Sequence, residues 1–339
     1  MRLSGRHKVV FLFGLAIGAL FLWLAIRDVN FEELAESLAS ANFLFAIPLL
    51  LFFGMFFWLK AIRWAYLLEP TRAFSSRELF APMMIGFAGN NVLPVRLGEL
   101  LRVYLLGSKF RISKTLVLAT LVLERIFDAV SILALLMLAI TFSKIDSSDL
   151  SSARLFLAIA TGIAVISVFV VVRTPSWLSD IGIRCSSFLP STLARNLGQK
   201  IHQVRDGFGA VRSTRQIARV AANSLLQWAL LAACIQFALH ALDIDVPAVA
   251  SVLVLGLVVA GISIPSAPGF VGTIELCFVI GLGFFGIGAN EALAAAIFYH
   301  VLTFASVTGT GAILLSRFGT SYTELQDQAQ SASHIKNQK

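Results

Sequence analysis

The sequence predicts an all-α, polytopic membrane protein. Three observations carry that expectation: a mean hydropathy of +0.84, only 14% charged against 58% hydrophobic residues, and a series of apolar runs on the scale of a bilayer. A water-soluble domain of 339 residues needs far more polar surface than this to cover itself. Crossing the hydrocarbon core takes about 20 predominantly apolar residues in a helix, so length and polarity decide which runs are spans.

The first uncharged run, Val9 to Ile26, has 18 residues and follows Arg2, Arg6, His7 and Lys8. It is longer than a usual signal-peptide core and ends at Trp23-Leu24-Ala25-Ile26-Arg27 without a small-x-small cleavage site, which predicts a retained helix. Further runs are Asn42 to Leu59, Leu79 to Leu93, Thr115 to Phe142, Leu155 to Val172, Val220 to Leu242, Val246 to Ile274 and Ala292 to Ser316. Leu79 to Leu93 has only 15 residues, with Pro82, Gly86, Gly89, Asn90 and Asn91 among them. It is too short to cross and is expected to enter and turn back.

Loop charge tests that reading, because Lys and Arg concentrate in cytoplasmic loops. The basic start places the N-terminus inside. Asp28, Glu32, Glu33 and Glu36 place the next loop outside, and Lys60, Arg63, Arg72 and Arg77 mark the one after as inside. Arg96, Arg102, Lys109, Arg111 and Lys114 are again an inside signature, so both flanks of Leu79 to Leu93 lie on one side, as a re-entrant hairpin requires. The segment 173–219 carries eight Lys or Arg against Asp180 and Asp206 and is read as the main cytoplasmic loop. Its charge suits anionic headgroups, at about 1 kcal/mol per basic residue near the surface. That charge follows topology and carries no nucleic-acid module, so nucleic acid is not an expected partner.

Asp243, Asp245 and Glu291 mark the outside again, and Arg317 returns the chain to the inside. Between the outside marks, Val246 to Ile264 and Phe270 to Gly288 are joined by Ser263-Ile264-Pro265-Ser266-Ala267-Pro268-Gly269, which has no charge. The expectation is a second hairpin entering from the opposite face, with two short spans as the alternative. The tally is six full spans plus two re-entrant helical hairpins, or eight spans, with an inverted-repeat relation as one consequence of the opposed hairpins. The whole chain, 1–339, reads as a single transmembrane domain with a basic loop at 173–219 and a cytoplasmic tail at 317–339. Both termini are expected inside, in a bacterial cytoplasmic membrane.

Gly/Pro-interrupted segments in opposed positions point to a transporter site near the midplane, since half-helix ends expose backbone dipoles only where protein or water surrounds them. Charges gather beside them. Arg96, Glu99 and Arg102 follow the first hairpin, Glu124, Arg125 and Asp128 lie within a 28-residue apolar run, and Glu275 follows the second hairpin. A charge at the bilayer centre costs about 2.5–3.5 kcal/mol, so these groups are expected to be paired or to face water. Glu124 and Asp128, at i and i+4 on one helix face, call for a cation: Arg96, Arg102 or a substrate amine. A buried ion-pair network that fixes helix packing is the competing reading of Glu124, Arg125 and Asp128. Arg96 stands where a guanidinium can take a phosphate bidentately. His240 and His300 read first as satisfied helix histidines.

The cysteines, Cys185, Cys234 and Cys277, are scattered and imply neither a disulfide nor a metal framework. No metal-binding His/Glu motif, nucleophile elbow or phosphate loop occurs, so no cofactor, metal or catalytic residue is expected and the chain is not read as an enzyme.

Three stretches resemble a known family. They are Asn90-Asn91-Val92-Leu93-Pro94-Val95-Arg96-Leu97-Gly98-Glu99-Leu100-Leu101-Arg102, Glu124-Arg125-Ile126-Phe127-Asp128, and Pro265-Ser266-Ala267-Pro268-Gly269-Phe270-Val271-Gly272-Thr273-Ile274-Glu275. In this order they resemble the lysylphosphatidylglycerol synthase transmembrane-region family, also described as flippase-like membrane proteins, over nearly the whole chain. The resemblance implies a helical domain that moves an aminoacylated phospholipid or an isoprenoid-linked or hopanoid-type lipid between leaflets. Bifunctional members add a soluble aminoacyltransferase domain, and none is expected here. Two positions depart from the pattern: Val95 stands where a small residue is usual, and His300 where many members have Arg.

The expected function is therefore lipid translocation, with Asn90, Asn91, Arg96, Glu99, Arg102, Glu124, Arg125, Asp128, Pro268, Gly269, Glu275 and His300 as candidate substrate-site residues. The rival expectations are an ion-coupled transporter of a small polar solute and an accessory membrane subunit of a lipid-modifying enzyme, and the expected partners are a membrane lipid, anionic headgroups at the basic loop and a lipid-synthesising enzyme.

Overall fold

The computed structural model describes residues 5–69, 71–93, 96–142, 213–264 and 267–336, with isolated positions between 155 and 166, and side chains between residues 12 and 318. The expected span Leu155 to Val172 and most of the basic loop 173–219 lie outside the described residues. Helix is the only regular structure among the described residues.

Helix α1 (Gly5–Ile26) turns by 86° into the short amphipathic α2 (Phe31–Ala39). Asn30 makes that corner by accepting the Glu32 N–H on its side chain at 3.0 Å. After a 3-10 turn at Phe43–Phe45, α3 (Ala46–Leu68) runs the length of the molecule. Its outer stripe, Ile47, Leu51, Met55 and Trp58, is apolar and exposed, whereas the opposite face buries Phe53, Phe57, Lys60, Arg63 and Trp64. Apolar residues outside and charges inside suit hydrocarbon rather than water as the surrounding solvent.

The first hairpin consists of α4 (Ser76–Val92) and α5 (Leu97–Phe110). Ser75 and Glu78 cap α4 reciprocally, through Glu78 N–H to Ser75 Oγ at 3.3 Å and Ser75 N–H to Glu78 Oε2 at 2.9 Å. The expected turn within Leu79 to Leu93 is corrected: that stretch lies almost wholly in one helix that absorbs Pro82, and the chain reverses only after Val92. Gly86 and Gly89 are instead where α5 approaches, with Gly98 packed against the Gly86 carbonyl.

Helix α6 (Lys114–Phe142) follows, then α7 (Thr214–Ala241), which packs along α3. The second hairpin is α8 (Ala248–Ser263), a 3-10 turn at Pro268–Phe270, and α9 (Thr273–Gly283). Helix α10 (Ala289–Lys336) closes the bundle and continues past the expected end of the last span.

The hairpins enter from opposite ends. The Asn42 N–H donates to the Ala241 carbonyl at 2.7 Å, so α3 and α7 are antiparallel, with the start of α3 beside the end of α7. The first hairpin leaves from the far end of α3 and the second from the end of α7 nearest Asn42. Their arms have 17, 14, 16 and 11 residues. At 1.5 Å per residue these are about 25, 21, 24 and 16 Å, short of a hydrocarbon core about 30 Å thick.

Candidate functional site

The hairpin tips meet inside the bundle. Arg96 donates from Nη2 to the Ile262 carbonyl and lies over the Phe270 ring at 5.5 Å. Its backbone is left-handed (φ 53°), an arrangement that costs a non-glycine residue about 1–3 kcal/mol and is held only where surrounding packing enforces it. Between the tips lies a cavity of about 170 Å³, bounded by the aromatic rings of Phe53, Phe57 and Phe87 and by Asn90, Asn91, Arg96, Glu99 and Arg125. Gly269, Phe270, His300 and Thr303 complete its wall from the other side. Asn91 donates to Thr308 Oγ1 at 3.0 Å, while the buried Asn90 Oδ1 has no hydrogen-bond partner among the described residues. Arg96 has no carboxylate within 4.0 Å among the described residues.

Behind this cavity is a second polar layer, fully enclosed. Glu124 Oε1 accepts from Lys60 Nζ at 3.0 Å, and Glu124 Oε2 from Arg102 Nη2 at 3.0 Å. Asp128 Oδ1 accepts from Arg63 Nη1 at 2.7 Å and from the Trp228 indole N–H at 3.0 Å. Arg63 also donates to Ser224 Oγ at 2.7 Å, and the Arg102 guanidinium lies 3.6 Å from the centre of the Trp64 ring. These side chains come from α3, α5, α6 and α7, so one network ties four helices together. Arg125 links the layers: it pairs with Glu99 at 3.1 Å and lies 3.7 Å from Asp128.

The expected site residues therefore fall into two sets. Asn90, Asn91, Arg96, Glu99, Arg125, Gly269 and His300 line the cavity, with Pro268 in the adjoining turn. Arg102, Glu124 and Asp128 do not line it and are held in the enclosed network. Glu275 sits behind His300, with its Oε1 2.6 Å from His300 Nδ1.

Arg96 is not the cation that answers Glu124 and Asp128. Lys60 and Arg63 do so together with Arg102, and assigning those two to a loop is corrected: both lie within α3, 2% and 0% exposed. Their signal was present in the sequence. They stand at i and i+3, and the apolar pattern resumes at Trp64 and continues through Leu67 and Leu68, so the helix does not stop at the first charge.

The fold and this arrangement define a polytopic, helical integral membrane protein with a cavity between two opposed hairpins, walled largely by apolar side chains with a few polar and charged ones. The chain belongs to the family described as the lysylphosphatidylglycerol synthase TM region, whose family model matches residues 11–311. It is also similar to a "UPF0104 membrane protein" of Methanothermobacter thermautotrophicus, 24% identical, with 94% of this chain and 98% of that protein covered. No solved structure matches it.

Proposed function

We propose that this protein is a lipid translocase, moving a phospholipid or an isoprenoid- or hopanoid-type lipid between leaflets without chemical change. One observation carries the proposal: Arg96, a guanidinium with no carboxylate partner among the described residues, faces a cavity between two broken segments that enter from opposite ends. A phosphate oxygen there meets Arg96 and the amides of Asn90 and Asn91, while the aromatic wall excludes water and strengthens those contacts. Acyl chains need not enter, because the exterior of the bundle is already apolar. The enclosed Lys60, Arg63, Arg102, Glu124 and Asp128 network acts as the scaffold that fixes α3, α5, α6 and α7 around the cavity. In this reading the end bearing Arg72, Arg111 and Arg215 faces the cytoplasm of a bacterial inner membrane, and a separate enzyme makes the lipid.

The test is reconstitution in vesicles with headgroup-labelled lipids. A charge-assisted hydrogen bond contributes about 1.5–3 kcal/mol, so Arg96→Ala is expected to weaken lipid binding roughly 10- to 150-fold and slow movement accordingly. Unchanged movement in that variant overturns the assignment of Arg96. Binding of a small polar solute with no affinity for lipid headgroups overturns the lipid reading in favour of a solute transporter.

A further inference from the structure

The tip of the second hairpin is fastened by a hydrogen-bond chain that needs one shared proton to be complete. His300 on α10 places Nδ1 2.6 Å from Glu275 Oε1 and Nε2 2.8 Å from the Gly269 carbonyl oxygen. Glu275 Oε2 accepts the Gly272 N–H at 2.6 Å. The His300 and Glu275 side chains are 9% and 8% exposed, so water does not substitute freely for either partner.

A carbonyl oxygen only accepts, so the contact with Gly269 requires a hydrogen on Nε2. Nδ1 and Oε1, 2.6 Å apart, require another between them, carried by the imidazole or by the carboxyl. A neutral imidazole beside an ionised carboxylate has one N–H for two acceptors. One of the two contacts must then break, leaving a buried lone pair unmatched.

An N–H donated to a carboxylate is the stronger of the two bonds, so the contact given up is the one to the Gly269 carbonyl, and the group it releases is the hairpin tip. Gly269 (φ 71°) packs against Phe304 and approaches the Asn91 carbonyl of the opposite hairpin, and Gly272 (φ 84°) seats on Gly18 of α1. His300 and Phe304 form the wall between the cavity and an outward groove of about 300 Å³ that includes the exposed Val271 and Val301. Other charged or titratable groups facing this region are Arg96 and Glu99 from α5 and its preceding turn, Arg125 from α6, Cys277 from α9, and Tyr299 from α10. The segments of α1 and α4 packed here, around Gly18 and Leu22 and from Met84 to Asn91, contribute none.

We propose that His300 and Glu275 form a proton-binding site that locks the second hairpin tip when occupied and frees it when empty, linking the cavity and the outward groove through a protonation step. The consequence for lipid movement rests on the translocase reading above. The proton-controlled tip does not.

Spin labels on Val271→Cys and Leu315→Cys, in protein otherwise free of cysteine and held in nanodiscs of phosphatidylethanolamine and phosphatidylglycerol, report the tip against the rigid α10. As pH is raised across the range in which the protein stays folded, the interspin distance is expected to switch along a one-proton curve. His300→Gln, which cannot titrate, is expected to abolish the switch. Glu275→Gln, which removes the carboxylate that shares the proton, is expected to displace or abolish it. A distance independent of pH in the unsubstituted site overturns the proposal, as does a switch that survives in His300→Gln. Should that variant not fold, an unmoved curve in Glu275→Gln overturns it. Labelled phosphatidylglycerol in vesicles separates the two readings: a switching tip with no lipid movement overturns the translocase alone, and lipid movement past a pH-independent tip overturns the proton site alone.

Discussion

At the scale of single residues, the charge balance of the enclosed network sets which substitutions it tolerates. Lys60, Arg63 and Arg102 face Glu124 and Asp128, so cations exceed carboxylates. Removing Glu124 leaves the buried Arg102 without a carboxylate and Lys60 and Arg63 sharing Asp128, and breaking a buried pair in this way costs about 3–5 kcal/mol. Glu124→Ala is therefore expected to lower the unfolding temperature in detergent sharply or to abolish expression. Lys60→Met removes the excess charge, loses the ammonium's contacts over the Phe56 and Trp228 rings, fills the same space with an apolar chain, and leaves each carboxylate an arginine. It is expected to fold with a much smaller loss, and equal losses in the two variants would contradict this account. Arg96→Ala breaks no ion pair and loses only the contacts to the Ile262 carbonyl and the Phe270 ring, so its fall in unfolding temperature is expected to be much smaller than that of Glu124→Ala, with the main defect in lipid binding.

Among the elements, the hairpins depend on glycines where two backbones touch. A Cβ on Gly98 would strike the Gly86 carbonyl, and one on Gly272 would strike the Gly18 carbonyl from a left-handed backbone. Gly98→Ala and Gly272→Ala are each expected to destabilise by about 1–3 kcal/mol, read as loss of monodisperse protein. Gly54, on the exterior of α3 with nothing within 4 Å of its Cβ position, is the control, and Gly54→Ala is expected to be neutral or to stabilise by up to about 1 kcal/mol. These glycines also mark where sequence reasoning succeeded and where it stopped. Run length, Gly/Pro content and loop charge were enough to place two hairpins, because bilayer thickness is a one-dimensional constraint that a sequence can be measured against. The reversal point of the first hairpin was not legible, because Pro82 and Gly86 look like breaks until α5 packs against them. Similarly, Glu124 and Asp128 announced a need for cations, but which cations answered depended on the antiparallel approach of helices distant in sequence. Lys60 and Arg63 resemble ordinary interfacial charges until α6 and α7 enclose them.

For the molecule as a whole, the two ends differ in charge as its two faces of entry do in topology. Glu32, Glu33, Asp245 and Glu291 gather where α3 begins and α7 ends, and Arg72, Arg111, Lys114 and Arg215 gather where α3 ends and α6 and α7 begin. Among the described residues the bundle is thus largely apolar around its waist, mainly acidic at one end, mainly basic at the other, and charged in its interior. That distribution predicts an orientation, because retention of Lys and Arg on the cytoplasmic side acts on short loops such as 111–113. With the native cysteines replaced, Asp245→Cys and Glu291→Cys are expected to react with a membrane-impermeant maleimide added to intact cells, while Arg111→Cys and Arg215→Cys react only after permeabilisation. If labelling gives that pattern, the base of the first hairpin lies at the cytoplasmic surface and the base of the second at the outer one, as the proposed translocation requires. Labelling of Arg111→Cys from outside would reverse both statements at once, because the antiparallel contact between Asn42 and Ala241 ties the two hairpins to one orientation.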